Sequence, residues 1–277
     1  ALSAAYEQVQ GEAQGQIEVL DTYSDATVEA LLRTLDYPRN VIPSTVRRAG
    51  IETVDHLHTP RQLAGLALLR DAIERLEDPL ARDLLRVALA NTVRYCNRTY
   101  ILPYDKGERR SSYRGDAGFL RRFSYSPASP RLFYEHSVWP TFEKATKAVF
   151  HAKQETNSLI DGRYTTDTFT LTGVPAGHIH EVTGEAQVDY CFTDPPYLND
   201  IHFLDLSTLW AAWLRLEITG GAREAELLLR GTRQPARDRF AQDFAEVAES
   251  IARALKPDRW LTLVYKHRDL SLWQAIV

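Results

Sequence analysis

The run Val188-Asp189-Tyr190-Cys191-Phe192-Thr193-Asp194-Pro195-Pro196-Tyr197 constrains this chain more than any other stretch. Its first six residues are rich in β-branched and aromatic side chains and read as a buried strand. Pro195-Pro196 must end that strand, because proline has no N–H for the ladder. The strand therefore runs straight into a rigid tip, acidic at Asp194 and aromatic at Tyr197. Downstream, Phe203 to Leu216 is apolar nearly all round and reads as a buried helix that contains Trp210 and Trp213 and ends at Gly220-Gly221. Phe240, Phe244, Val247, Ile251 and Leu255 mark an amphipathic helix stopped by Lys256-Pro257. Trp260 to Tyr265 reads as a second strand, and Leu270 to Val277 as the start of one more helix. The order strand, helix, helix, strand, helix predicts an open α/β sheet of mostly parallel order, in which ligands bind at the carboxyl ends of strands. Asp194 and Tyr197 fall at such an end.

Upstream of that run the signals are helical and then irregular. Residues 1–50 carry little pattern beyond a short helix expected over Thr27 to Leu35 and an extended connector at Tyr37-Pro38-Arg39-Asn40-Val41-Ile42-Pro43. Thr59-Pro60-Arg61-Gln62 is a T-x-x-Q capping box with proline at the first helical position, and Leu63, Leu66, Leu69, Ile73 and Leu76 follow at helical spacing. A second helix is expected from Pro79 to about Arg98 with Leu84, Val87, Ala88 and Val93 inward. Both helices read as scaffold. Ser137 to Lys153 reads as a helix, Thr165 to Thr172 as a strand, and Gly173, Pro175 and Gly177 as turn residues.

Between them, residues 99–140 form a long loop-rich insertion. Lys106, Arg109, Arg110, Arg114, Arg121, Arg122 and Arg131 alternate with tyrosines and phenylalanines, and glycines and prolines break any period. Basic and aromatic residues together suit a polyanion with exposed bases, through phosphate contacts and stacking. A solvated loop with its aromatics tucked onto a core has the same composition. Two domains are expected: residues 1–160, helical and loop-rich with a role in target recognition, and residues 161–277, an α/β portion carrying the acidic tip.

Composition narrows the class only slightly. A net charge of −4 over 277 residues leaves nucleic acid open as a partner, since an electrostatic footprint is local. Cys96 and Cys191 form no CxxC pair and read as reduced thiols of a cytoplasmic protein, which argues against a zinc ribbon. His56-x-His58 and His178-x-His180 lack an acidic or cysteine partner at ligand spacing, so no metal site is expected. There is no signal peptide and no membrane-length apolar run. The chain begins at Ala1, contains no methionine and stops at Val277 inside an expected helix; it reads as a segment of a longer protein.

The tip has a defined chemistry. Asp194 offers carboxylate acceptors, and Pro195 and Pro196 present carbonyl oxygens in a stiff turn without competing donors. Tyr197 adds a flat face. This combination suits an exocyclic amine on a planar base. Such an amine is a poor nucleophile, and acceptors that hold both of its N–H groups favour the positive charge of direct alkyl transfer. The ring can stack on a base taken out of the duplex.

Asp194-Pro195-Pro196-Tyr197 matches the D-P-P-Y motif of amino-group DNA methyltransferases, which use S-adenosylmethionine. The run Val188 to Leu214 resembles the motif and following helix of large bacterial site-specific DNA methyltransferases. Leu255 to Ile276 and His58 to Leu69 are similar to further segments of such proteins, in the same order. The resemblance implies a partial Rossmann-like methyltransferase sheet, with Asp194 and the Pro195 carbonyl binding the target amine, Pro196 within the same motif, and Tyr197 stacking on the flipped base. It also implies double-stranded DNA as partner, adenine N6 as target ahead of cytosine N4, and other subunits of a restriction or phage-defence system as possible associates. Arg109, Arg110, Arg114, Arg121 and Arg122 would then contact DNA.

The family's glycine-rich cofactor turn has no counterpart here. Gly173-Val174-Pro175-Ala176-Gly177 lies too close to Asp194, and Gly11 and Gly15 follow no strand. That half is expected upstream of Ala1. Lys266 and His267 either border the pocket or lie on the surface, and Asn199, Asp200 and His202 either contact substrate or cap the next helix. A non-catalytic DNA-binding module, or methylation of RNA or protein on the same fold, stays open at this point.

Overall fold

The computed structural model describes residues 1–46, 51–98, 135–160, 170–195, 202–228 and 234–265, together with the backbone of four two-residue strands. Those strands are β1 (Tyr100–Ile101), β2 (Tyr104–Asp105), β3 (Glu108–Arg109) and β4 (Phe119–Leu120). The architecture is mixed α/β, mostly helical, with a small two-stranded parallel sheet. Two compact units are present: Ala1–Arg163 with Asp205–Ile218, and Tyr164–Leu204 with Thr219–Val277.

In the first unit the helices begin where caps place them. Ser24 accepts from Thr27 N to start α3 (Asp25–Leu32), preceded by α1 (Leu2–Val9) and α2 (Gly15–Glu18). Thr59 and Gln62 form the expected reciprocal capping box at α4 (Pro60–Glu74), and Asp78 accepts from Leu80 and Ala81 N at α5 (Pro79–Tyr95). Each cap satisfies N–H groups that the first helical turn leaves open. Leu63, Leu66, Leu69, Ile73 and Leu76 are all buried, as their spacing predicts. The inward phase of α5 differs from expectation: Leu85 and Leu89 are buried with Ala88 and Val93, whereas Val87 is exposed.

Residues 1–22 carry structure that their polar composition hides. Ala5, Val9, Ala13, Ile17 and Leu20 are buried along one nearly continuous helical stretch. Apolar residues repeated every four positions drift around an α-helix of 3.6 residues per turn. Five residues of π-helix, Gln10–Gln14, widen the turn and keep the stripe on the core side. The sixth helix, α6 (Val138–Ile160), starts where Ser137 was expected to open it and runs further than Lys153. Its Trp139 and Phe142 stack against Tyr6, at ring separations of 6.1 and 6.4 Å.

Close approach of α4 and α6 depends on one glycine. A Cβ on Gly65 would meet Val138 Cγ2 at 3.0 Å and Ile17 Cγ2 at 3.5 Å. The 99–140 segment, expected to be irregular throughout, pairs β1 with β4 and β2 with β3, both antiparallel.

The apolar run from Phe203 is not one buried helix. It forms α8 (Phe203–Leu206) and α9 (Thr208–Trp213), with a break at Ser207, and Phe203 and Leu216 are exposed. Buried Asp205 accepts from Thr45 Oγ1 in the first unit, and Leu209 and Trp213 enter the same core. Asp205–Ile218 therefore group with Ala1–Arg163, whereas Phe203 and Leu204 group with the second unit. Gly220-Gly221 opens a helix instead of closing one: Thr219 accepts from Ala222 N and caps α10 (Gly220–Ala225).

The second unit holds α7 (Ile179–Thr183), α11 (Gln234–Ala254) and the parallel pair β5 (Val188–Thr193) and β6 (Leu255–Leu263). Phe240, Phe244 and Ile251 are the buried stripe of α11, as expected. Pro257 does not separate helix from strand, because β6 begins at Leu255 and passes through it. Such a proline is tolerated where its missing N–H is not needed by a partner strand. Thr170 to Thr172, expected as strand, have no regular secondary structure, and the rest of that stretch lies outside the described residues, as does Leu270 to Val277. No described helix is long and apolar enough to cross a membrane.

Gly65→Val is expected to destabilise the first unit by about 1–3 kcal/mol through overpacking against Val138. Urea unfolding followed by helical circular dichroism measures it; an unchanged midpoint would contradict the close packing.

Candidate functional site

β5 and β6 run parallel, with Tyr190 opposite Trp260, Phe192 opposite Thr262 and Thr193 opposite Leu263. Val264 N donates to Thr193 O at 2.9 Å as the last rung. Asp194 is the first residue after β5. It lies at the carboxyl end of a parallel strand, is exposed, and pairs with no side chain among the described residues. Pro195 beside it is half-buried. Pro196, Tyr197, Asn199, Asp200, Lys266 and His267 lie outside the described residues.

The two ends of the sheet differ in their acidic groups. At the amino end, Asp189 accepts from Lys256 Nζ at 2.9 Å and faces Arg259 Nε at 3.2 Å. The hydrogen bond from Lys256, then its charge and that of Arg259, hold the Asp189 carboxyl below the usual range. That carboxylate is committed to the fold. Asp194 at the other end keeps its acceptor oxygens open to a donor from solvent. On the β6 side Tyr265 is buried against Phe244, with rings 6.5 Å apart, and burial raises its phenol pKa.

The strand itself is less buried than its composition predicts. Tyr190 is 54% exposed, Phe192 63% and Trp260 77%, and these three residues share one face by the parallel register. On the other face Cys191 and Leu263 are half-buried and Leu261, opposite Cys191, is exposed. Composition alone does not distinguish a strand covered on both faces from one covered on a single face.

Of the arginines expected at DNA, Arg109 ends β3 and is paired backbone to backbone with Tyr104. Arg110, Arg114, Arg121 and Arg122 lie outside the described residues. Each of the paired histidines has a hydrogen-bond partner, His56 Nδ1 accepting from Glu52 N at 3.3 Å. His178 Nδ1 is 2.9 Å from Glu181 Oε1, an acidic neighbour three residues on, and His180 Nδ1 is 2.7 Å from Ser250 Oγ. His58 is buried in the first unit, where Trp213 Nε1 donates to its Nε2 at 3.0 Å. Since an indole can only donate, the proton sits on Nδ1, which donates to Cys96 O at 2.6 Å. Among the described residues no group of three His, Cys, Asp or Glu side chains is placed to hold a metal. Cys96 and Cys191 are free thiols, and burial pushes the Cys96 pKa up to about 12.

Most of the described glycines face open space. A Cβ added at Gly11, Gly15, Gly173 or Gly177 would meet nothing within 4 Å, so no neighbour makes glycine necessary there. The other described glycines with close neighbours are Gly65, in helix packing, and Gly184, which follows α7 with φ 83°. Among the described residues the tip is thus an exposed carboxylate that directly follows a parallel strand.

Sequence reasoning overlooked a cluster in the first unit formed by Asp36, Arg39, Arg70 and Arg215. One signal was available: Arg70 occupies a core position in the 63, 66, 70, 73 pattern of an otherwise apolar stripe. Comparison with family models, with curated proteins and with solved structures finds no match.

His58 stays neutral in the fold, its pKa lowered to about 4 by burial. The unfolded chain alone then takes up a proton between pH 6.5 and about 4. Stability is complete above pH 6.5 and falls by about 3 kcal/mol as pH drops through that window. The His58 ring resonance, followed by NMR, should remain that of a neutral imidazole at pH 5; titration near pH 6.5 would contradict its burial.

Proposed function

We propose that the Asp194–Tyr197 tip is the amine-binding element of an amino-group DNA methyltransferase, with adenine N6 as its target and S-adenosylmethionine as methyl donor. The observation that carries the reading is the position of Asp194: an open carboxylate at the carboxyl end of a parallel strand, followed at once by proline. In open α/β sheets that edge is where ligands bind. The carboxylate and the Pro195 carbonyl are two acceptors, and the two prolines that follow Asp194 carry no N–H to compete. An exocyclic amine has two N–H donors to offer them. Holding both leaves the nitrogen lone pair out of the ring plane and stabilises the positive charge that develops there. The basic and aromatic residues between 99 and 140 supply the means to hold a polyanion and stack a base.

A second reading draws on the glycines: with no cradle among the described residues, this chain is a DNA-binding module that carries no cofactor. Calorimetry with S-adenosylmethionine separates the two. The first reading expects binding by the intact protein, and the second expects none.

Transfer of a labelled methyl group from S-adenosylmethionine to DNA by the intact protein is expected to fall at least about 100-fold in Asp194→Ala, the effect of losing a group aimed at developing charge. Activity that survives this substitution would remove Asp194 from the role given to it.

A further inference from the structure

An open groove of about 430 Å³ in the first unit brings together side chains from three separate stretches. Arg39 comes from the connector after α3, Arg70 from α4, and Arg215 from the residues after α9. Arg70 and Arg215 converge on one oxygen, Asp36 Oδ2, at 3.1 and 2.6 Å. Arg70 also donates to Asp36 O and Asp71 Oδ1, at 2.7 and 3.3 Å. Two guanidinium groups already clamp an oxyanion here, and that oxyanion belongs to an exposed side chain. Glu217 is the other carboxylate on the lining.

Two features are hard to explain as packing. Arg70 is buried, its guanidinium 5.8 Å from the Trp213 ring, yet its Nε–H has no hydrogen-bond partner among the described residues. A buried donor left open is costly and points to an acceptor that completes it. The second feature is the backbone of Arg215. Leu216 N donates to Ala211 O at 2.8 Å and Arg215 N to Ala212 O at 3.4 Å, the Schellman ending of a helix. Its left-handed position is normally glycine, but here Arg215 holds it with φ 56°. Arginine at that position is strained, and strain of this kind gathers at ligand sites.

Arg39 is the cation free to act. It lies over the Tyr37 ring at 4.7 Å and donates to Tyr37 Oη at 2.8 Å, with no carboxylate in ion-pair range among the described residues. We propose that this groove is a phosphate-binding site, in which Arg39, Arg215 and the open Nε–H of Arg70 hold the oxygens of a phosphate group. Guanidinium forks match phosphate geometry and remain charged at any physiological pH. The phosphate displaces Asp36 Oδ2 from between Arg70 and Arg215, and Tyr37 offers a flat surface beside it. The site stands independently of the role given to Asp194, which lies in the other unit.

The test titrates the chain at low salt with inorganic phosphate, a mononucleotide and a single-stranded oligonucleotide, measured by calorimetry. Arg39→Ala and Arg215→Gly are compared with the wild type, and Arg75→Ala, whose partner is Glu12, serves as control. Arg215→Gly removes the guanidinium while relaxing the backbone, so it keeps the fold. Each groove variant is expected to weaken binding about tenfold or more, and the control to leave it unchanged. Binding of all three ligands with similar affinity identifies a small phosphorylated ligand. Binding of the oligonucleotide alone identifies a nucleic-acid backbone. No binding by the wild type, or equal binding by wild type and both groove variants, overturns the proposal.

Discussion

The parallel pairing of β5 with β6 is the constraint on which the acidic tip depends. Parallel neighbours cannot be joined by a tight turn; they need a crossover, and here α11 leads directly into β6. Its buried Phe240, Phe244 and Ile251 pack it in the second unit. Once the two strands are aligned, the last rung at Thr193 O fixes where β5 ends, and Pro195 prevents it from going further. Asp194 is left between a paired strand and Pro195. It owes its position to the ladder and not to any contact of its own side chain.

A different constraint holds the first unit. Trp213 lies far along the chain from the helices it packs on, and its indole N–H donates to His58 Nε2. The neutral ring in turn needs the Cys96 carbonyl. This chain of two hydrogen bonds joins the residue before the α4 cap, the end of α5 and α9, and it has one acceptable protonation state. The same indole lies beside Arg70, so the groove with its three arginines is built on the core that His58 secures.

What was legible in the sequence follows from how local each signal is. The capping box at Thr59 and the stripe of α4 are set by residues within a few positions of each other, and both are present as read. The strand-ending prolines and the period of α11 are local in the same way. The failures are tertiary. Gly220-Gly221 marks a helix start because Thr219 caps it, and Phe203 to Leu216 divides at Ser207 while Asp205 reaches across to Thr45. Residues 1–22 hide a stripe of period four behind glutamines, and it becomes a single face only with a π-turn that no local rule foretells. The groove arginines are far apart in sequence and share no motif. Arg70 alone betrayed itself, as a charge on an apolar stripe.

The central claim is that Asp194 presents a base's amino group for modification. Expressing the intact protein in a host whose DNA lacks methylated adenine, then reading N6-methyladenine and N4-methylcytosine base by base, tests it most directly. The account predicts N6-methyladenine at one recurring short sequence with the wild type and at none with Asp194→Ala. Unmodified DNA with the wild type, or the same modified sites in both, would contradict it.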